Sequence, residues 1–222
     1  MVFLAVDGGV IALIIISIGI IFPALIGGLI YWAFKNQENA SFQSQRFLTD
    51  KELFLLIDQE PDQLMTSKRL AEKTDLTLKQ AKNRLSFLLR MGVLTASHDS
   101  RLKSFYSLRE PVEQVEIPGL SDEPFLTVED ILLLFKAHNY KLTYQRACLS
   151  TGLPIAVIKE EFKYFVKQKI ITQVWSPAMA GQTRSKMYLL KEPYRSNPDK
   201  FIEREEQMNL ELQKIYVKEM RQ

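Results

Sequence analysis

The sequence predicts a mainly helical α+β chain: an N-terminal transmembrane helix, two tandem copies of a small helical unit, and a C-terminal helix. Three observations carry this expectation. The stretch from Gly8 to Phe34 contains no charged residue, and Lys35 ends it. The segment Met65–Thr95 aligns without a gap onto Leu142–Thr172, at a constant offset of 77. Each copy carries helical apolar periodicity followed by two short β-prone runs.

As a helix the uncharged stretch would rise roughly 40 Å at about 1.5 Å per residue. That exceeds the roughly 30 Å hydrocarbon core, so residues 8–34 suit one tilted or kinked span in a lipid bilayer. Tyr31 and Trp32 precede the first cation, where amphipathic rings favour the membrane interface. A cleaved export signal fits poorly, because no Lys or Arg precedes Lys35 and the apolar run is too long. Pro23 leaves a second geometry open, two half-helices forming a re-entrant hairpin. Ala24 and Gly28, spaced as small-xxx-small, would allow two spans to approach closely. Lys35, Arg46 and Lys51 follow the span while only Asp7 precedes it, so a single pass with a cytoplasmic soluble part is expected. The single cysteine, Cys148, allows no internal disulfide and agrees with that side.

About 185 residues remain after the anchor, more than one small domain usually needs. Composition divides them. Residues 1–35 are the anchor, and the polar run in 36–46 suits a flexible tether. A first unit covers 47–111 and a second 124–193. Between them, 112–123 lies in a stretch rich in proline and acids that reads as a linker. Residues 194–222 form a C-terminal helix, with Asn197 as cap, Pro198 first, and a modest apolar stripe of Phe201, Met208, Leu212 and Ile215. That stripe suits packing on the second unit or pairing with a twin in a homodimer.

Each unit reads as three helices and a hairpin. The first helix begins at Thr49 with Glu52 three residues on, or at Thr127 with Asp130, both capping boxes. The second begins at Thr66 or Thr143. The third begins at Thr77, with Gln80 as reciprocal partner, or at Pro154, a residue tolerated in first helical position. Its buried stripe is Leu78, Ala81, Leu85, Leu88 and Leu89, matched by Ile155, Ile158, Phe162, Phe165 and Val166. Val93–Ala96 then pairs with Phe105–Leu108, and Ile170–Val174 with Met187–Leu190.

This order, and the phrase TSKRLAEKTDLTLKQAKNRLSFLLRMGVLT within it, resembles the winged-helix superfamily of prokaryotic transcription regulators. Leu88-Leu89-Arg90-Met91-Gly92-Val93-Leu94 fits that superfamily's passage from the third helix into the wing. The second copy departs from it, with Lys169 in the place of Gly92 and Pro154 in the place of Thr77. The resemblance implies a third helix that docks on DNA, although winged helices also serve as protein-binding modules.

Removing the core stripe leaves Lys79, Lys82, Asn83, Ser86 and Arg90 on the outward face of the first copy. Cations neutralise phosphates, and an amide or guanidinium reads base edges in a major groove. Arg101 and Lys103 in the first wing, and Arg184 and Lys186 in the second, would hold an adjacent groove or backbone. An ordinary solvated face carries the same residue types. The second copy offers Ala156, Lys159, Glu160, Lys163 and Lys167, with Glu161 beside them; a carboxylate there is repelled by phosphates.

Charge decides little: residues 46–110 carry twelve basic and nine acidic side chains, and residues 120–193 ten and seven. That falls short of a strongly basic nucleic-acid binder. Two histidines, one cysteine and no phosphate loop or nucleophile elbow point away from enzymatic, metal and cofactor chemistry. Cys148 stands where the first copy has Ala71 and reads as a small core residue. Two functions follow. One is a membrane-anchored regulator or tether that binds double-stranded DNA. The other is a membrane-anchored adaptor that binds protein partners through the second unit or the C-terminal helix, without DNA.

Overall fold

The computed structural model describes residues 22–113, 115–175, 186–198, 202 and 204–220. The chain is mixed α+β, with small antiparallel sheets among its helices. Helix α1 (Phe22–Gln43) leads through a short 3-10 turn (Ser44–Arg46) into the first repeat. That repeat comprises α2 (Asp50–Asp58), α3 (Ser67–Lys73), α4 (Leu78–Arg90) and the hairpin β1 (Leu94–His98) with β2 (Ser104–Leu108). The second comprises α5 (Val128–Ala137), β3 (Lys141–Leu142), α6 (Tyr144–Thr151), α7 (Ile155–Lys167), β4 (Ile171–Trp175) and β5 (Lys186–Leu190). Helix α8 (Glu205–Met220) ends the described chain.

Local chemistry sets the helix starts. Thr49, Thr77 and Thr127 each accept the amide three residues on, and Glu52, Gln80 and Asp130 return a bond to the cap amide. A cap of this kind contributes about 1 kcal/mol. Thr66 and Thr143 cap α3 and α6 in the same way without the reciprocal partner. Pro154 takes the cap position of α7 rather than its first turn, and its side chain has nothing to offer. Asp50 of the first repeat supplies the missing acceptor, its Oδ2 lying 2.9 Å from the Ile155 amide. A carboxylate at a helix N-terminus also meets the positive end of the helix dipole.

The hairpins pair antiparallel, Leu94 opposite Leu108 and Ile171 opposite Leu190. Strand β3 adds a third strand beside β5, and Met65 bridges to Tyr106 at the matching place in the first repeat. Leu85 and Phe162, equivalent by the offset of 77, are both fully buried, as are Tyr106 and Tyr188 largely. Tyr144, Phe162 and Tyr188 form a ring cluster with centroids 4.6–5.7 Å apart. Cys148 is buried, and burial pushes its thiol well above the usual range.

Three expectations change. The tether is helical: α1 continues to Gln43 and packs along α4, because Phe34 and the Ser44 turn find partners there. The linker is held down, with Val112, Ile117 and Leu120 against the core and Ser121 donating twice to Asp130, at 2.8 and 2.6 Å. The C-terminal helix starts at Glu205, and of its stripe Met208 and Leu212 are buried and Ile215 half-buried; Phe201 lies outside the described residues. No helix among the described residues is long and apolar enough to cross a membrane. The expected span begins at Gly8, and residues 8–21 lie outside the described set.

The buried apolar side chains of both repeats form one connected cluster. Polar joints reinforce it. The Glu110 carboxylate accepts from Arg146 and Thr143 at 3.1 Å each, and its carbonyl accepts from Gln145 at 2.7 Å. Each repeat's third helix is also flanked by a helix from outside the repeat, α1 on α4 and α8 on α7. Equivalent amides are capped from these flanks: Gln45 Oε1, in the 3-10 turn after α1, accepts from Asp50, and Asn209 Oδ1 of α8 from Val128, both at 3.0 Å.

Candidate nucleic-acid interface

Helix α4 presents its N-terminal half most openly. Lys79 and Lys82 are exposed, and Asn83 and Ser86 half-buried. Leu78, expected in the core, is 58% exposed at the first turn; Leu89 is half-buried. The core stripe proper is Ala81, Arg84, Leu85 and Leu88, an i, i+3, i+4, i+7 set that admits Arg84 in place of Leu78. Neither Lys79, Lys82 nor Arg101 has an ion pair among the described residues.

The C-terminal half of α4 is partly covered. The Arg90 guanidinium lies over the Phe34 ring, 4.7 Å from its centroid, so it faces α1 rather than open solvent. At the other end of the contact, Arg84 Nη1 donates to the Ser44 carbonyl at 3.1 Å. The chain from Phe34 to the Ser44 turn therefore lies along the C-terminal half of α4, from Arg90 back to Arg84. Two packed helices, each about 10 Å wide, exceed a major groove about 12 Å wide, so only the Lys79–Asn83 end is free to enter one.

The first hairpin ends in a side-chain-built turn. Asp99 Oδ1 accepts the amides of Arg101 and Lys103, both at 2.9 Å, and Leu102 between them takes a φ of +59°. Arg101 is thrust outward, Leu102 is 83% exposed at the tip, and the Lys103 ammonium sits 5.2 Å from the Phe105 ring centroid. The sequence reading passed over Leu102; an apolar residue between two cations in a polar hairpin loop was its signal.

The second repeat is different. Lys159 lies 3.3 Å from Glu160, and Lys163 also pairs with it. Burial pushes the Glu160 carboxyl up, but Lys163 and Lys159 outweigh burial and hold it below the usual range. Ala156 and Glu161, expected on the outward face, are buried, because α7's core stripe is Ile158, Glu161, Phe162 and Phe165. Val166 is half-buried rather than a core residue. Lys186 places its ammonium 5.3 Å from the Trp175 ring centroid; burial, then Lys163 and Lys159, lower its pKa. Arg184 lies outside the described residues.

Two ionisable side chains are buried against expectation, Arg84, which the sequence reading passed over, and Glu161, which it set beside the outward face. Arg84 is fully buried, with Nη2 donating to Asp50 Oδ1 at 2.9 Å. Glu161 is equally buried and accepts the Leu126 amide at 3.3 and 3.4 Å. Among the described residues no group of three His, Cys, Asp or Glu side chains stands close enough to hold a metal. Comparison with protein-family models, with curated proteins and with solved structures finds no match to this chain.

Proposed function

We propose that this chain is a membrane-anchored, tandem winged-helix protein that binds double-stranded DNA through its first repeat, as a regulator or DNA tether at the cytoplasmic membrane face. The observation that carries this reading is the contrast between the two third helices. Lys82 of α4, like Lys79 a turn before it, stands exposed without an ion pair among the described residues, whereas its equivalent Lys159 in α7 pairs with Glu160, as does Lys163. Lys79 and Lys82 neutralise phosphates, Asn83 faces base edges, and Arg101 with Lys103 holds the neighbouring backbone. The second repeat is a scaffold that fixes the first. Exposed apolar residues around α1, including Leu25, Leu29, Tyr31 and Trp32, continue the uncharged stretch from Gly8 and supply the bilayer anchor.

The test is duplex binding by the full chain in lipid nanodiscs at several salt concentrations. Affinity should fall steeply with salt, and Lys82→Ala should reduce the slope by about one.

The adaptor reading draws on one feature, a groove of about 490 Å³ between α7 and α8. Tyr164, Met208 and Ile215 give it apolar surface, and Lys163, Arg204 and Glu211 give it charge of both signs. A stoichiometric protein partner without any duplex affinity would select this reading.

A further inference from the structure

The tip of the first hairpin keeps an apolar side chain where a turn ordinarily places glycine or a polar residue. Leu102 is 83% exposed, more than any other large apolar side chain among the described residues. Its φ of +59° lies in the left-handed region, which residues with a Cβ rarely adopt. Asp99 builds this conformation. Its carboxylate accepts the amides of Arg101 and Lys103, and its carbonyl accepts that of Leu102 at 3.0 Å. The Asp99 amide in turn donates to the Lys103 carbonyl at 3.2 Å. Every amide from 101 to 103 is thus bonded inside the turn, so the tip is ordered before anything binds it. Backbone held in a sparsely populated region by its surroundings clusters at functional sites. The strand from buried Leu94 to His98 carries this tip about 13 Å out from the core, at about 3.3 Å per residue.

We propose that Leu102 is a wedge: it enters the minor groove of duplex DNA, parts one base step and so bends the duplex that the first repeat binds. This rests on the DNA-binding reading above and adds to it a distortion and a preference among sequences. A minor groove about 6 Å wide excludes a two-stranded ribbon but admits one side chain at its tip. Apolar wedges that part a base step kink the duplex towards the major groove. Arg101, beside the wedge, is exposed and has no ion pair among the described residues, so its guanidinium is available to the adjoining phosphate. Lys103 is placed differently, its ammonium near the Phe105 ring, and the wedge does not need it. A cationic tip suits DNA and an anionic phospholipid surface alike, and the single leucine decides between them. Even a myristoyl chain gives only marginal attachment to a bilayer, so one leucine adds little there. One side chain is enough to part a base step. Pyrimidine–purine steps unstack most easily, so the wedge selects TA and CA sites without a hydrogen bond to any base.

The experiment uses the full chain in lipid nanodiscs and short duplexes with a donor and an acceptor dye at their ends. One set carries a central TA step and the other a stiff A-tract. The expected result is a rise in energy transfer when the TA duplex binds, with severalfold tighter binding than to the A-tract. Leu102→Gly keeps the turn, because glycine adopts a φ of +59° freely. It should bind with an unchanged salt slope while losing both the rise and the preference. Leu102→Met should retain both. A parent chain that binds without bending, or a Leu102→Gly chain that bends the duplex equally, would overturn the wedge while leaving the DNA reading standing. The absence of salt-dependent binding to any duplex would end the DNA reading itself. A dye on Leu102→Cys that is quenched by nitroxide-bearing lipid, with no DNA present, would make the bilayer the occupant; the native Cys148 is buried and stays unlabelled.

Discussion

Arg84 in the first repeat and Glu161 in the second occupy the same place on the third helix, and both are completely buried. The fold keeps a polar group at this position and changes its sign. In the first repeat the guanidinium meets Asp50 at 2.9 Å, and the other oxygen of Asp50 caps α7 of the second repeat. In the second, Val128 stands where Asp50 would be, and Glu161 accepts only the Leu126 amide among the bonds described. Burial raises the Glu161 carboxyl well above the usual range, the neighbouring Asp130 adds to this, and the Leu126 amide opposes it. One repeat thus uses its buried charge to clamp the two halves together, and the other satisfies a carboxyl within itself.

The largest effect should come from breaking the clamp. Arg84→Met leaves Asp50 buried without its cation and should destabilise the chain by about 3–5 kcal/mol, read by denaturant unfolding. Asp50→Asn should cost a similar amount while also weakening the start of α7. A cycle with both changes tests whether the pair acts as a unit. A loss below about 1 kcal/mol for Arg84→Met would remove the clamp from the account.

Apolar equivalents should behave alike where the charges do not. Leu85→Ala and Phe162→Ala should each cost about 2–5 kcal/mol by the same measurement, since both side chains are fully buried. A cost at one and none at the other would mean that the repeats differ in packing and not only in charge.

Glu161→Gln should sharpen the contrast through pH. A carboxyl whose folded pKa is raised favours the folded state while protonated; that contribution is complete below the ordinary value of 4.5 and is lost as pH rises through the raised folded value. The variant should therefore gain stability relative to the parent as pH climbs from about 4.5 towards neutrality. Thermal melts of both chains across that range check it. A difference that stays constant with pH would contradict the raised carboxyl.

The smallest effect concerns the outer helices. Gln45→Ala and Asn209→Ala each remove an acceptor for the first amide of α2 or α5, and each should cost about 1 kcal/mol. Equal losses would support the equivalence of the turn after α1 and of α8 as caps on the two repeats.

Much of this organisation was legible from local signals. Capping boxes at Thr49, Thr77 and Thr127 act within three residues, so the sequence displays them in full. The hairpin strands were placed within two residues at each end, because β-prone runs and turn residues are adjacent in the chain. The buried charges were hidden for the opposite reason. Arg84 meets partners 34 and 40 residues away, and no local pattern names them. Helical phase places residues 84 and 161 one turn from Ala81 and Ile158, but the expected stripe left Arg84 out and set Glu161 beside the outward face. The polar composition of 36–46 suggested a loose tether, while packing on α4 kept most of it helical. Of the candidate interface, Lys79, Lys82 and Arg101 are exposed and Asn83 and Ser86 half-buried, whereas Arg90 turns to Phe34, Lys103 to Phe105 and Lys186 to Trp175, contacts that residue type alone does not display.

The central claim is that the two third helices differ in what they offer a phosphate backbone, and one measurement tests it directly. Duplex affinity of the full chain is followed against salt for the parent, Lys82→Ala and Lys159→Ala. The account predicts a salt slope reduced by about one for Lys82→Ala and unchanged for Lys159→Ala, whose ammonium is already committed to Glu160. Equal loss from both substitutions, or no salt-dependent binding at all, would contradict it.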